Sequence, residues 1–317
     1  MIVVSFILLV VGFVALVWGA DFFVDGAAAF AHKLNVPSFI IGMTVVAMGT
    51  SAPECAVTIT ASLRGSNGMA ISNVIGSNAF NLLVVCGACA LFTPLVIKKS
   101  TLKREFPFSI LAEVVLLVMG TLGLMVGHIE GIILLAIFVG FLVWMIRSAK
   151  KAMSAGEAVE TEEIKEMSNI ACFFSIVGGA AAIVIGGQLV VNCAETIALT
   201  FGMSETLVGL TICSIGTSLP ELVTSIVAAR KNQAEMALGN VIGSNIFNVL
   251  LVAGIATAIS PIVITRYNLI DLIFVIAVSL YIMALVWRKQ ELRRGGGISL
   301  LAIYGLYIVY ICLRDIL

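Results

Sequence analysis

Gly49-Thr50-Ser51-Ala52-Pro53-Glu54 returns 167 residues later as Gly216-Thr217-Ser218-Leu219-Pro220-Glu221. Each copy stands inside an apolar run long enough to cross a bilayer, so each carries a carboxylate to membrane depth. A charged side chain there costs about 2.5–3.5 kcal/mol on insertion scales, which makes a duplicated one a functional site by default. The same offset aligns Asn73-Val-Ile-Gly-Ser-Asn78 with Asn240-Val-Ile-Gly-Ser-Asn245, and Phe80-Asn81 with Phe247-Asn248. From Gly42 to Gly87 against Gly209 to Gly254, 22 of 46 positions are identical without a gap. Shared apolar composition does not produce that agreement; the chain is a duplicated unit centred on these segments.

The surrounding composition sets the class. Of 317 residues 61% are hydrophobic and only 11% charged, and the mean hydropathy is +1.15. That is too little polar surface for a water-soluble globule of this length. Windows of about 20 apolar residues fall near 1–32, 37–63, 68–96, 105–125, 129–147, 169–202, 204–230, 235–262, 268–287 and 297–313. These runs are too long for barrel strands and lack their alternation. The expected fold is an all-α polytopic membrane protein of ten helices, divided into a five-helix repeat over 1–148, a cytoplasmic linker over 149–168 and a second five-helix repeat over 169–317.

Positive charge predicts the orientation. Alternate connections on one side hold 15 Lys and Arg, from Lys33 through Lys98, Lys99, Lys103 and Arg104 to Arg293 and Arg294. The other side, with both termini, holds Arg64, Arg266 and Arg314. The positive-inside rule then places both termini outside, in a multi-pass protein of the cell (inner) membrane. Five helices per repeat force the second half to enter from the opposite side, so the halves are inverted copies. Inverted repeats with interrupted helices meeting at the midplane form a recurring carrier architecture, because one part can rock against the other around a single site.

Pro53 and Pro220 lack a backbone N–H, so carbonyls near Ala47 to Thr50 and Ser214 to Thr217 are expected to lose helical donors and become available to a cation. The C-terminal end of each half-helix adds partial negative charge. One helix later Ser77 and Asn81 lie four residues apart, as do Ser244 and Asn248, so a hydroxyl and an amide oxygen share a face. Gly76 and Gly243 suggest close backbone approach beside them. Carboxylate, carbonyl, hydroxyl and amide oxygens suit Ca2+, and they also suit Na+. Two carboxylates neutralise one Ca2+ or two Na+. No thiolate or imidazole motif for a soft metal is present.

With these residues in place, the paired G-T-S-x-P-E and N-V-I-G-S-N-x-F-N segments resemble the two alpha repeats of the sodium/calcium exchanger family, within the cation/calcium antiporter superfamily. The direct match covers about 46 residues in each half. The resemblance implies a secondary exchanger coupling Na+ entry to Ca2+ extrusion, three Na+ against one Ca2+ being typical of the family, with no cofactor and no enzymatic activity. It also implies roles for particular residues. Glu54 and Glu221 match the central acids, Thr50 and Thr217 supply adjacent oxygens, and Ala47, Ser51 and Ser77 match Na+-site positions answered by Ser214, Ser218 and Ser244. Asn81 and Asn248 occupy the remaining central positions. Potassium-dependent members carry Asp at the position of Asn248, and proton-coupled relatives commonly carry G-N-x-x-E around the acid. Both departures favour Na+ as driver over a potassium-dependent or calcium/proton antiporter.

A cation channel is the alternative from another class, disfavoured because inverted repeats meeting at carboxylates suit alternating access. No protease-like, Ser/Lys or His-metal motif suggests an intramembrane enzyme. The expected partners are Ca2+ and Na+ as substrates and the lipid bilayer, with no nucleic acid and no obligatory protein. Asp21 and Asp25 have Gln188 and Asn192 as repeat mates, so their charge is not duplicated and they read as structural or vestibule residues. The seven Cys show no ligand or disulfide spacing and read as small packing residues. Trp144 and Trp287 read as interfacial anchors, and Glu157, Glu160, Glu162, Glu163 and Glu166 as a solvated linker.

Overall fold

The computed structural model describes residues 2–155, 167–201 and 214–314. The five linker glutamates, Cys213, the first part of the seventh predicted crossing and the side chain of Ser214 lie outside the described residues. Helix α1 (Ile2–Lys33) is followed by α2 (Ser38–Thr50) and α3 (Ala52–Leu63), which form one crossing bent by 48°. Then come α4 (Gly68–Phe92), α5 (Glu105–Thr121) and α6 (His128–Ala155). The second half runs α7 (Asn169–Thr200), α8 (Ser214–Thr217), α9 (Leu219–Arg230), α10 (Ala234–Ile259), α11 (Arg266–Val286) and α12 (Arg294–Arg314).

Among the described residues, every predicted window contains helix. Among the described residues seven helices are individually long and apolar enough to span a bilayer, and the bent pair makes an eighth crossing. The other two windows hold α5, at 17 residues, and the pair α8 and α9. Windows 68–96 and 235–262 overran their helices for a local reason. Thr93 and Ser260 precede Pro94 and Pro261 and take extended backbone, because a following proline disfavours the α region. In the other direction, α6 continues to Ala155, seven residues past the expected end of the first repeat at 148.

Two short antiparallel ribbons tie the halves together. Leu95–Val96 pairs with Glu291–Leu292, and Met125–Val126 pairs with Ile262–Val263. The strand at Ile262 is the repeat mate of the strand at Leu95, so each ribbon joins one strand from each half. α11 starts with a reciprocal cap, Thr265 Oγ1 accepting from Asn268 N while Asn268 Oδ1 accepts from Thr265 N; this satisfies donors that the first turn leaves free.

The core is made by α4 and α10, whose apolar windows are 78% buried, whereas those of α1 and α12 are 17% buried and face the lipid side. A membrane helix buried among other helices can carry polar residues that a lipid-facing one cannot, and the motif residues lie on or against these two. α1 and α7 pair antiparallel through a glycine seam. A Cβ at Gly19 would lie 2.9 Å from Ile183 N and 3.0 Å from the Gly179 carbonyl, and one at Gly12 would lie 3.0 Å from the Gly186 carbonyl. Small residues allow such approach between membrane helices.

Candidate ion-binding site

Each helix break follows from its proline. Pro53 and Pro220 sit in the first turns of α3 and α9, where a missing N–H costs nothing. Ser51 and Ser218 just before them leave helical geometry, with ψ of 7° and 6°. The two breaks are not identical. Ser51 N keeps a bond of 2.9 Å to the Ala47 carbonyl, whereas Ser218 N bonds the Ile215 carbonyl at 3.2 Å. The expectation that Ala47 loses its helical donor is therefore corrected: its carbonyl accepts from Ser51 N and also faces the Thr50 hydroxyl at 3.4 Å. The donor that proline removes is the one for Gly49.

Across the break the two repeats exchange hydrogen bonds. Ser51 Oγ donates to Glu221 Oε1 at 2.9 Å, and Ser218 Oγ donates to Glu54 Oε1 at 3.1 Å. Ser218 Oγ also lies 3.1 Å from Ser77 Oγ. Thr50 Oγ1 donates to Asn240 Oδ1 at 3.1 Å and Thr217 Oγ1 to Asn73 Oδ1 at 3.4 Å. Asn81 Nδ2 donates to Asn245 Oδ1 and Asn248 Nδ2 to Asn78 Oδ1, both at 3.1 Å. Every one of these bonds joins the first half to the second, and each has a counterpart about 167 residues away except Ser218–Ser77, whose repeat mate Ser244 makes no such bond. Asn81 opens a π-helical turn (Asn81–Val85) and Asn248 lies in another (Phe247–Val252), a local widening often found at functional sites.

What these bonds leave over is as informative. Glu54 and Glu221 are 1% and 0% exposed, and one oxygen of each, Oε2, has no hydrogen-bond partner among the described residues. The Oδ1 atoms of Asn81 and Asn248 and the Ser244 hydroxyl are buried and unpaired in the same way. A buried polar atom without a partner costs about 1–3 kcal/mol, and more when charged. Two carboxylate and two amide oxygens left over at repeat-related positions form a donor set for a hard cation. No group of three His, Cys, Asp or Glu that could hold a soft or structural metal occurs among the described residues.

Glu54, Glu221, Thr50, Thr217, Ser51, Ser218, Ser77, Asn81 and Asn248 are thus each bonded across the two halves, and Ala47 and the buried Ser244 lie within the same helices. Ser214 begins α8. Gly243 behaves as expected, since a Cβ there would stand 2.6 Å from the Met43 carbonyl. For Gly76 nothing among the described residues comes within 4 Å of the equivalent position. Asp21 and Asp25 stay apart from this network and pair with Lys231. The six described cysteines are free thiols.

Sequence reasoning passed over Asn73, Asn78, Asn240 and Asn245. They lay inside the quoted duplicated motif, and a buried amide repeated at one offset was the signal that could have found them. It also passed over Glu113, which lies outside the duplicated stretch.

The family described as sodium/calcium exchanger protein matches residues 4–147 and 172–313. The inner membrane protein YrbG of Escherichia coli K12 is 35% identical over 316 residues, 96% of this chain and 95% of its own. The sodium/calcium exchanger MaX1 of Methanosarcina acetivorans is 32% identical over 345 residues, covering 98% and 99%. The solved structure of the sodium-calcium exchanger NCX_Mj, soaked with zero Na+ and Ca2+, superposes with a TM-score of 0.86 at 29% identity, covering 98% of this chain and 100% of that one.

Proposed function

The chain belongs to the sodium/calcium exchanger family, and we propose that within it this cation/calcium antiporter uses the Na+ gradient to drive Ca2+ extrusion by alternating access. The observation that carries the reading is the set of four unpaired, buried oxygens on Glu54, Glu221, Asn81 and Asn248, taken equally from two inverted halves. Two carboxylates balance the charge of one Ca2+, and the two amides complete an oxygen cage without adding charge. Na+ bound at Ala47, Ser51 and Ser77 in one repeat, and at Ser214, Ser218 and Ser244 in the other, competes for the same carboxylates. Occupancy by Na+ and by Ca2+ thereby becomes mutually exclusive, which couples the two fluxes.

The residues of 1–148 and 169–317 act as the two halves of the carrier in this reading. Both termini lie outside the inner membrane, consistent with the Lys and Arg bias of the opposite face. Because Ser51 and Ser218 tie each carboxylate to the other half, a movement of one half must remake those bonds. The site therefore opens to one side at a time. A neutral Asn248 leaves the site with two negative charges, which favours Na+ against Ca2+ without K+.

Reconstitution into vesicles with radioactive Ca2+ and imposed Na+, K+ or H+ gradients tests this directly. Ca2+ accumulation driven by an opposing Na+ gradient alone is the expected result. Flux driven only by a pH gradient makes the protein a calcium/proton antiporter, a strict K+ requirement makes it potassium-dependent, and unitary currents in single-channel recordings make it a channel.

A further inference from the structure

Glu113 is a third carboxylate at membrane depth. It stands on α5, outside the duplicated segments, is 1% exposed, and forms no ion pair among the described residues. Its Oε2 accepts from the Ser279 hydroxyl of α11 at 3.3 Å, and its Oε1 accepts from Asn78 Nδ2 at 3.4 Å. Asn78 Oδ1 in turn accepts from Asn248 Nδ2 at 3.1 Å. The three residues form a line of hydrogen bonds from the interior of α5 to the oxygen cage: Asn248 donates to Asn78, and Asn78 donates to Glu113.

The direction of that line has a chemical consequence. A carboxyl group that is ionised, or that holds its proton on the oxygen beside Ser279, presents Asn78 with an accepting oxygen, whereas an amide has a donating and an accepting end that exchange when the group turns over. Glu113 and the Asn245 carbonyl both accept from the Asn78 NH2, so Asn78 offers its oxygen to Asn248. Asn248 must then use its NH2 toward Asn78, which leaves Oδ1 for the site, and Oδ1 is the unpaired atom. With either amide turned over, an N–H would point at the cation.

The second repeat lacks this device. The counterpart of Asn78 is Asn245, whose NH2 donates, among the described residues, to the Asn78 carbonyl alone, at 3.5 Å. Asn78 makes the reciprocal bond to the Asn245 carbonyl at 3.4 Å and has the Glu113 bond in addition. The acid is thus an asymmetric addition to a symmetric network.

We infer that Glu113 is a positioning residue for the transport site: through Asn78 it fixes the amide orientation of Asn248 and thereby sets the affinity for Ca2+ in the half of the site that Asn248 supplies. This rests on the reading of Asn248 as a site residue.

The test measures half-saturating Ca2+ and saturating uptake rate in vesicles containing the full chain. Glu113→Gln keeps the shape but gives Asn78 a partner that can donate or accept. It is expected to raise half-saturating Ca2+ about tenfold, with the saturating rate within about twofold. Adding Asn78→Asp restores an accepting oxygen next to Asn248 that cannot turn over into an N–H. The pair Asn78→Asp with Glu113→Gln should therefore return to within about threefold of wild type, whereas Asn78→Asp alone, with two carboxylates facing each other, should lose at least tenfold.

That rescue is not expected of a merely structural contact. Unchanged Ca2+ dependence in Glu113→Gln, or a double variant no better than Asn78→Asp alone, overturns the inference. If Glu113→Gln alone does not fold, the comparison of the double variant with Asn78→Asp still decides. The wild-type protein reads the other question separately. If its Ca2+ flux follows a driver other than Na+, the proposed function fails, while the Glu113 comparison is made with that driver.

Discussion

Ser51 in the first repeat donates its hydroxyl to Glu221 in the second at 2.9 Å, and Ser218 returns the bond to Glu54 at 3.1 Å. Each central acid is thus held by the half to which it does not belong. The remaining oxygen of each is free for a cation, so neither acid can be lost without leaving the other half's charge arrangement incomplete.

Glu54→Gln or Glu221→Gln should abolish Ca2+ exchange while the protein still inserts and remains monodisperse in detergent. Losing one of two buried charges that compensate a divalent ion is on the order of 3 kcal/mol or more, about 100-fold in affinity. Radioactive Ca2+ uptake by the reconstituted variants checks it. Wild-type uptake in either variant removes that acid from the site.

Ser244 and Ser77 offer a graded comparison. The Ser244 hydroxyl has no hydrogen-bond partner among the described residues, whereas that of Ser77 faces Ser218. Replacing Ser244 with Ala should raise half-saturating Na+ several-fold with little change in Ca2+ dependence. Ser77→Ala should shift Na+ as well, and it should also perturb Ca2+ through Ser218, which holds Glu54. Equal shifts for both ions in Ser244→Ala would argue against a Na+ role for that residue.

Three Na+ exchanged for one Ca2+ moves one net positive charge per cycle, worth about 2.3 kcal/mol per 100 mV. Clamping the vesicle potential with a K+ ionophore should therefore shift the equilibrium Ca2+ gradient by roughly 50-fold per 100 mV. A gradient insensitive to voltage requires an electroneutral ratio.

The glycine seam between α1 and α7 predicts a stability effect far from the chemistry. A Cβ at Gly19 meets backbone atoms of Ile183 and Gly179 at 2.9 and 3.0 Å, and backbone yields less readily than a side-chain tip. Gly19→Ala should lower stability by about 1–3 kcal/mol, read as an earlier thermal transition in detergent. Gly178→Ala, one residue from Gly179 but with nothing within 4 Å, is the control and should be neutral.

Duplication, inversion and the two acids were legible in the chain because the membrane prices each of them. Apolar runs must be about 20 residues long, a buried Glu must serve a purpose, and Pro53 and Pro220 must interrupt the helix that precedes them. Helix ends were less legible where Thr93 and Ser260 turn before a proline and where α6 runs on through Lys150 and Lys151. Tertiary structure alone decided which oxygen of each residue is spent within the protein and which is left over. Ser51 reaches Glu221 across 170 residues, and Asn248 reaches Asn78 by the same separation; no local pattern encodes such pairings. Glu113 shows the limit most clearly. Its repeat mate at the same offset is Leu280, so no repeat announces it, and only folding sets its carboxyl oxygen against Asn78.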